Sequence, residues 1–150
     1  QISQSSTVSK ICSEEVKNGL LDIIAWQNCS ASVLKMVVSF HDWLAFSYNQ
    51  GKKVYGYGAA AKASTLINVA RIESEWIIGI ADASEEKQGR YMPSCLTPII
   101  SPTELKFSNV TDVIIFAWNI KTEILEVLKN LLKDEVKIWC FFPDTHEVKR

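Results

Sequence analysis

A glycine-rich hexapeptide between a predicted strand and a predicted helix is the feature best suited to chemistry. Residues 56–61 read GYGAAA, a G-x-G-x-x-A pattern. In folds that bind dinucleotides, the first glycine (here Gly56) permits a tight turn, the second (Gly58) lets a phosphate approach the backbone, and a small third residue (Ala61) allows close helix packing. The helix that follows offers unpaired N–H groups to an anion, and Lys62 adds a positive charge. The pattern therefore predicts an anion site with free amides over residues 56–62.

An acidic residue follows this hexapeptide at the spacing typical of dinucleotide-binding folds. Asp82 ends an apolar run about 20 residues later, where an acid meets a ribose hydroxyl in such folds. The opposing interpretation is that the glycines only allow a close strand-to-helix connection and that Asp82 caps a helix or turn. Ligands of open sheets bind at the carboxyl ends of the strands, where the glycine loop, the loop after Asp82 and the pair Trp118 and Asn119 converge. This convergence favours a binding crevice.

A basic loop follows Asp82. Residues 87–93 read KQGRYMP and place Lys87, Arg90 and Tyr91 close together. Arg90 can hold a phosphate through two hydrogen bonds, and Tyr91 can stack on a base or a sugar. The alternative is that this charged loop is simply solvated.

Groups for acid–base or metal catalysis are scarce. His41 lies on the apolar stripe of a predicted helix, which is typical of a core or interface histidine, and His146 lies in a polar tail. The four cysteines show no C-x-x-C spacing, so they predict reduced, structural thiols and no zinc site. No nucleophile elbow occurs.

The elements that must position these residues alternate between strand and helix. The length of 150 residues predicts one domain over residues 13–150, preceded by a frayed polar tail over residues 1–12. The alternation predicts an α/β fold with a mostly parallel sheet flanked by helices and preceded by two N-terminal helices. A capping box with proline at the first helical position, at residues 101–104, predicts a short helix. The predicted helices span residues 13–24, 34–48, 62–70 and 122–132, and the predicted strands span 53–57, 76–81, 112–117 and 136–142.

Charge and hydropathy exclude several classes of partner. Sixteen basic and 17 acidic residues give a net charge of -1, which argues against nucleic acid as a partner. No uninterrupted apolar run approaches the ~18 residues of a membrane span, and the polar N-terminal sequence is unlike a signal peptide. These features predict a cytoplasmic protein with no membrane partner.

Four segments together resemble the C-terminal domain of S-adenosylmethionine-dependent sugar-nucleotide C-methyltransferases. They read GYGAAAKASTLIN at 56–68, DASEEKQGRYMP at 82–93, PIISPTEL at 98–105 and AWNIKTEIL at 117–125. An E-x-x-x-G-L pattern at residues 15–20 extends the resemblance toward the N-terminus, so it covers nearly the whole chain.

The resemblance implies a Rossmann-like domain that frames the site of a nucleotide-linked sugar. In the complete enzymes it follows a zinc-binding domain and a domain that binds S-adenosylmethionine, so we expect both cofactors outside this chain and none within it. The base for the reaction comes from the central domain, and we assign no catalytic residue here. With Asp82, the substrate-binding residues suggested by the motifs and the resemblance are Gly56, Gly58, Ala60, Lys62, Thr65, Asn68, Lys87, Arg90, Tyr91, Trp118, Asn119 and Glu123.

Three hypotheses for function remain open at this point. The first is a sugar-framing domain of a C-methyltransferase that is inactive alone and works with a methyltransferase domain or subunit. The second is an autonomous oxidoreductase module that binds NAD(P) through Gly56, Gly58 and Asp82. The third is a non-catalytic interaction subunit whose N-terminal helices form the docking face.

Overall fold

The computed structural model describes residues 6–93 and 95–149. The chain divides into two compact units, Gln1–Lys35 and Met36–Arg150. The sheet and all of its strands belong to the second unit. The prediction of one domain starting at residue 13 stays a prediction.

The first unit contains helix α1 (Ser6–Lys17) and the first part of helix α2 (Ile23–Asn49). A turn separates the two helices because Gly19, at a φ of 73°, adopts the left-handed conformation that ends a helix. The Asp22 carboxylate then accepts the Ile24 N–H at 3.0 Å. The predicted helix over residues 13–24 is therefore wrong in its bounds. Helix α1 occupies part of the segment predicted to be frayed, whereas residues 1–5 lie outside the described residues.

Helix α2 is long and apolar enough to cross a membrane by length and composition alone. Its mean hydropathy passes this test although no uninterrupted apolar run does, and the core helix of a soluble protein passes it as well. From Met36 onward the helix behaves as a core helix, since Phe40, Leu44 and Ser47 are buried. The predicted cytoplasmic location stays a prediction.

Six strands form one sheet in the second unit, in the order β3-β2-β1-β4-β5-β6. All neighbouring pairs are parallel except β5 and β6, which are antiparallel. The predicted α/β fold with a mostly parallel sheet is therefore confirmed. The strands are β1 (Val54–Tyr57), β2 (Ile80–Ala81), β3 (Ile99–Ile100), β4 (Asp112–Ile115), β5 (Lys137–Cys140) and β6 (His146–Glu147).

Strand β2 is much shorter than predicted. The apolar run over residues 76–81 begins with a turn, and only its last two residues form a strand. Ile77 is buried in the core at 1% exposure, although the backbone at this position does not form a strand. An apolar run of this kind indicates burial more reliably than it indicates conformation. Strands β3 and β6, of two residues each, were not predicted.

Helices cover both faces of the sheet. Helix α3 (Ala61–Val69) and α2 from Met36 onward share one apolar core. Helices α4 (Pro102–Phe107) and α5 (Lys121–Leu131) share the other, and a 3-10 turn at Trp118–Ile120 leads into α5. The connections from β1 and β4 thus leave the sheet toward opposite faces.

The predicted capping box at the start of α4 is present. The Ser101 hydroxyl accepts the Glu104 N–H at 3.1 Å, and the Glu104 carboxylate accepts the Ser101 N–H at 2.7 Å. Hydrogen bonding of the Glu104 carboxylate to Ser101, first to its backbone N–H and then to its side chain, holds the pKa of Glu104 below its ordinary value. Local sequence alone specifies this helix start.

A buried carboxylate joins the amino ends of β4 and β5. Asp112 is 1% exposed and accepts hydrogen bonds from Trp139 Nε1 at 2.7 Å and from the Thr111 hydroxyl at 2.8 Å. The Lys52 ammonium lies 3.5 Å from the same carboxylate. A buried charge needs such partners, since removing one side of the pairing leaves the others desolvated.

Replacing this carboxylate should weaken the fold. We expect Asp112→Ala to lower the free energy of unfolding by about 1.5–3 kcal/mol, the value of hydrogen bonds to a charged group. Urea denaturation measures this change. Glu86→Ala removes an exposed carboxylate and serves as the control. Equal effects of the two variants would contradict the structural role of Asp112.

Candidate functional site

The sheet has a topological switch point between β1 and β4. Strand β1 pairs with β2 on one side and with β4 on the other, and ligands of open α/β sheets bind at the carboxyl ends of such strands. A crevice of about 240 Å³ opens at this position. It is lined by Tyr57, Gly58, Ala60, Asp82, Ala83, Lys87, Ala117, Ile120 and Ile124.

Packing within the protein requires a small residue at both glycine positions of the hexapeptide. A Cβ at Gly56 would lie 2.6 Å from the Phe116 ring, closer than real Cβ atoms come to a neighbour. Gly58 has a φ of 95°, and its Cβ would lie 3.1 Å from that of Ala117. Gly56 is also buried, and its strand lies between β2 and β4. The packing of β1 against the end of β4 thus accounts for both glycines without a ligand.

The amides of the glycine loop are largely occupied by protein groups. Gly58 N–H donates to the Ala81 carbonyl at 2.8 Å, Ala59 N–H to the Asp82 carboxylate at 2.7 Å, and Ala60 N–H to the Gly58 carbonyl at 2.8 Å. The prediction of free amides is therefore wrong for the loop itself. In the described part of the chain, the first two amides of α3, those of Ala61 and Lys62, have no such acceptor.

Asp82 holds the loops after β1 and β2 together. Besides the Ala59 amide, its carboxylate accepts the Ser84 N–H at 2.9 Å. The Lys87 ammonium donates to the Asp82 carboxylate at 3.2 Å and to the Ala59 carbonyl at 3.1 Å, and the Gln88 amide donates to the Asp82 carbonyl at 2.9 Å. Asp82 is 9% exposed. Its negative charge is balanced by Lys87 at the wall of the crevice.

Tyr57 is a crevice residue that sequence reasoning missed, although it stands inside the hexapeptide. It is 7% exposed and packs among the apolar residues beneath α5. Burial raises the pKa of the Tyr57 phenol above its ordinary value, and the negative charge of Asp82 raises it further. The phenol therefore stays protonated and can donate a hydrogen bond. Alternation along β1 was the available signal, because it places Tyr55 and Tyr57 on one face of the strand.

A cationic shelf lies beside the crevice at the ends of β1, β4 and β5. We use this name for Lys62, Trp118, Asn119 and Phe142. The Lys62 ammonium donates to the Asn119 side-chain oxygen and lies 5.1 Å from the centre of the Trp118 ring. The Trp118 and Phe142 rings stack with centres 4.8 Å apart and planes 18° from parallel. Since an ammonium carries three N–H donors, Lys62 retains capacity for an anion.

The structure brings only part of the predicted set together. Gly58, Ala60, Asp82 and Lys87 line the crevice, and Lys62, Trp118 and Asn119 form the shelf. The remaining predicted residues, namely Gly56, Thr65, Asn68, Arg90, Tyr91 and Glu123, are not among the lining residues.

The residues of the basic loop lie in two different places. Lys87 reaches the crevice, whereas the backbone around Arg90 pairs with the outer strand β3, through the Arg90 carbonyl and the Ile99 N–H at 2.8 Å. The Arg90 side chain is exposed, and Tyr91 is 63% exposed. On α3, the Thr65 hydroxyl donates to the Ala61 carbonyl.

No metal-binding group is evident in the described residues. Across residues 6–93 and 95–149, no three His, Cys, Asp or Glu side chains lie close enough to hold a metal ion. His41 contacts Asp42 at 3.1 Å and the Trp76 ring at 5.2 Å.

The strand order and the position of the crevice define a Rossmann-like α/β domain with an opening at its switch point. A family model for the C-methyltransferase C-terminal domain matches residues 1–143. The chain therefore belongs to the family of C-methyltransferase C-terminal domains.

The proteins similar to this chain include a curated enzyme and a protein of known structure. C-methyltransferase NovU from Streptomyces niveus is 27% identical over 128 residues, which cover 85% of this chain and 30% of that protein. The chain thus spans less than a third of this relative. The crystal structure of UDP-D-quinovosamine 4-dehydrogenase from Vibrio fischeri matches with a TM-score of 0.49 at 22% identity, over 65% of this chain and 93% of that one. That likeness concerns the fold alone.

The contact beneath Gly56 generates a stability prediction that needs no ligand. We expect Gly56→Ala to lower the free energy of unfolding by about 1–3 kcal/mol, the cost of overpacking a core, because its Cβ meets the Phe116 ring. Gly79→Ala is the control, since its Cβ would make only ordinary contacts at 3.5 Å. Chemical denaturation of both variants measures the difference. A Gly56→Ala protein as stable as the parent would contradict the packing role.

Proposed function

We propose that this C-methyltransferase C-terminal domain frames a nucleotide-linked sugar for a methyltransferase domain or subunit. The observation that carries the proposal is the crevice at the switch point, which joins apolar walls to a few polar groups as small-molecule sites do. Its wall carries the neutral pair of Asp82 and Lys87. A cation, Lys62, belongs to the shelf beside it.

The phosphates of the ligand belong at the cationic shelf in this proposal. The Lys62 ammonium has unused N–H donors, and the Ala61 and Lys62 amides begin helix α3, whose N-terminus favours negative charge. The Trp118 ring, which stacks on Phe142, lies beneath the Lys62 ammonium and helps to hold it in place. Arg90 is exposed beside β3 and does not line the crevice, so we expect it to contribute less to binding.

We further propose that this chain has no methyltransferase activity alone. The described residues contain no metal-binding cluster, and the amides from Gly58 to Ala60 are engaged by protein groups. These residues lack the ligand cluster that zinc needs, and the engaged amides leave few hydrogen-bond donors for S-adenosylmethionine. Zinc and S-adenosylmethionine therefore belong to other domains in this proposal.

The alternative of an NAD(P)-dependent oxidoreductase is less well supported. Dinucleotide sites use loop amides for the pyrophosphate and an acid for the ribose. Here three loop amides have protein acceptors, and both Asp82 carboxylate oxygens accept backbone N–H groups, from Ala59 and Ser84. In that alternative, NADH binds and Asp82→Asn selectively weakens it.

The alternative of a non-catalytic interaction subunit is favoured by one observation. Helix α1 has no buried residue, and large apolar side chains on the first unit are exposed, including Leu21 at 81% and Ile23 at 68%. Such exposure is typical of an interaction surface. This alternative differs from the leading proposal in requiring no ligand at the crevice.

Removing the shelf cation should weaken ligand binding. We expect Lys62→Ala to reduce the affinity for dTDP- or GDP-linked sugars by about 1.5–3 kcal/mol, the value of a hydrogen bond to a charged group. Arg90→Ala removes the same charge beside β3 and should have a smaller effect. Isothermal titration calorimetry measures both. An unchanged affinity in Lys62→Ala would contradict the phosphate position.

A ligand panel separates the three functions. We expect dTDP- or GDP-sugars to raise the melting temperature, since a ligand at 100 times its dissociation constant adds about 2.7 kcal/mol. S-adenosylmethionine and NADH should leave it unchanged. Stabilisation by NADH alone would favour the oxidoreductase, and stabilisation by no ligand would favour the interaction subunit.

A further inference from the structure

The Tyr57 hydroxyl is a polar group without a partner at the floor of the crevice. Tyr57 is more than nine-tenths buried, yet no described residue donates to or accepts from its oxygen. Among the described residues, the only side-chain oxygen or nitrogen that is fully enclosed and has no hydrogen-bond partner is Ser47 Oγ. The Tyr57 oxygen is therefore not sealed in the core. The Tyr57 oxygen therefore opens into the crevice that its residue lines.

Packing does not require this hydroxyl. The hydroxyl has no protein partner and opens into the crevice, so it adds no hydrogen bond to the fold, and a phenylalanine at the same position would fill the same apolar space. Tyr57 packs with the apolar residues beneath α5. A hydroxyl at the floor of a crevice that makes no hydrogen bond within the fold is available to a ligand.

The surroundings of the hydroxyl favour a neutral, hydroxylated ring. Asp82 and Lys87 lie 3.2 Å apart and neutralise each other, so a phosphate gains little there and meets a carboxylate. Apolar contacts come from Ala117, Ile120 and Ile124. The volume of about 240 Å³ lies below the ~300–1,000 Å³ of pockets that hold whole ligands, so it suits one ring of a longer molecule.

We propose that Tyr57 is the specificity-determining residue of a sugar subsite, in which its hydroxyl hydrogen-bonds a hydroxyl or ring oxygen of the sugar in a nucleotide-linked sugar. This inference rests on the proposed function and assigns the crevice to the sugar and the shelf to the phosphates. Because burial and Asp82 keep the phenol protonated, it can donate as well as accept.

The test compares Tyr57→Phe with the parent protein by calorimetry, using dTDP-glucose and GDP-mannose and, as ligands without the sugar, dTDP and GDP. We expect Tyr57→Phe to bind the better sugar nucleotide about 3- to 10-fold more weakly, the value of one neutral hydrogen bond, with affinity for the nucleoside diphosphate unchanged. Without ligand, its stability should equal or exceed that of the parent.

The matched control is Tyr55→Phe. It removes a phenol hydroxyl from the same face of β1, two residues away and outside the crevice lining, and should leave all affinities unchanged. An unchanged affinity in Tyr57→Phe overturns the inference and leaves the proposed function standing. An equal loss for sugar nucleotide and nucleoside diphosphate also overturns it, because a base then occupies the crevice. If the parent binds neither ligand, the proposed function fails and the inference fails with it.

Discussion

The carboxyl edge of the sheet depends on the hydrogen bonds of one carboxylate. The register that pairs Tyr57 with Ala81 brings Asp82 beside the turn after β1, where the Ala59 amide needs an acceptor. Asp82 accepts that amide, and Lys87 balances the charge while reaching the Ala59 carbonyl. The loops after β1 and β2 are thereby held together, and the shape of the crevice follows from that connection. A buried carboxylate is tolerable here because it is both hydrogen-bonded and paired.

The use of this carboxylate within the protein limits what a ligand can find. Its oxygens already accept N–H groups, so the wall of the crevice is close to electrically neutral. Charge capacity remains at Lys62, whose ammonium lies above the Trp118 ring. The edge therefore has a neutral part and a cationic part side by side. A molecule with one uncharged ring and one anionic group matches this division better than a ligand that is charged along its length.

Local signals in the sequence predicted most of the second unit, but they did not predict the hydrogen bonds at the site. The capping box of Ser101 and Glu104 was readable because all of its atoms lie within four residues. The acceptor of the Ala59 amide lies 23 residues away and depends on strand register, which the sequence pattern does not specify. The two-residue strands β3 and β6 were missed because so short a segment has no periodicity. Alternation along β1 places Tyr57 on one face of the strand, but its position in the crevice depends on how α5 packs against the sheet, which the local sequence does not specify.

The glycine pattern has two physical origins that are indistinguishable in sequence. A ligand that approaches the backbone requires small residues, and so does a neighbouring side chain that occupies the same space. Here the Phe116 ring faces Gly56 and the Ala117 Cβ faces Gly58, so the end of β4 imposes both small residues. The same packing directs β1 into α3 and leaves the crevice on the α5 side, floored by Tyr57. In this chain the glycine motif therefore reflects the packing of β1 against the end of β4, and the side chains around the crevice determine which groups it presents.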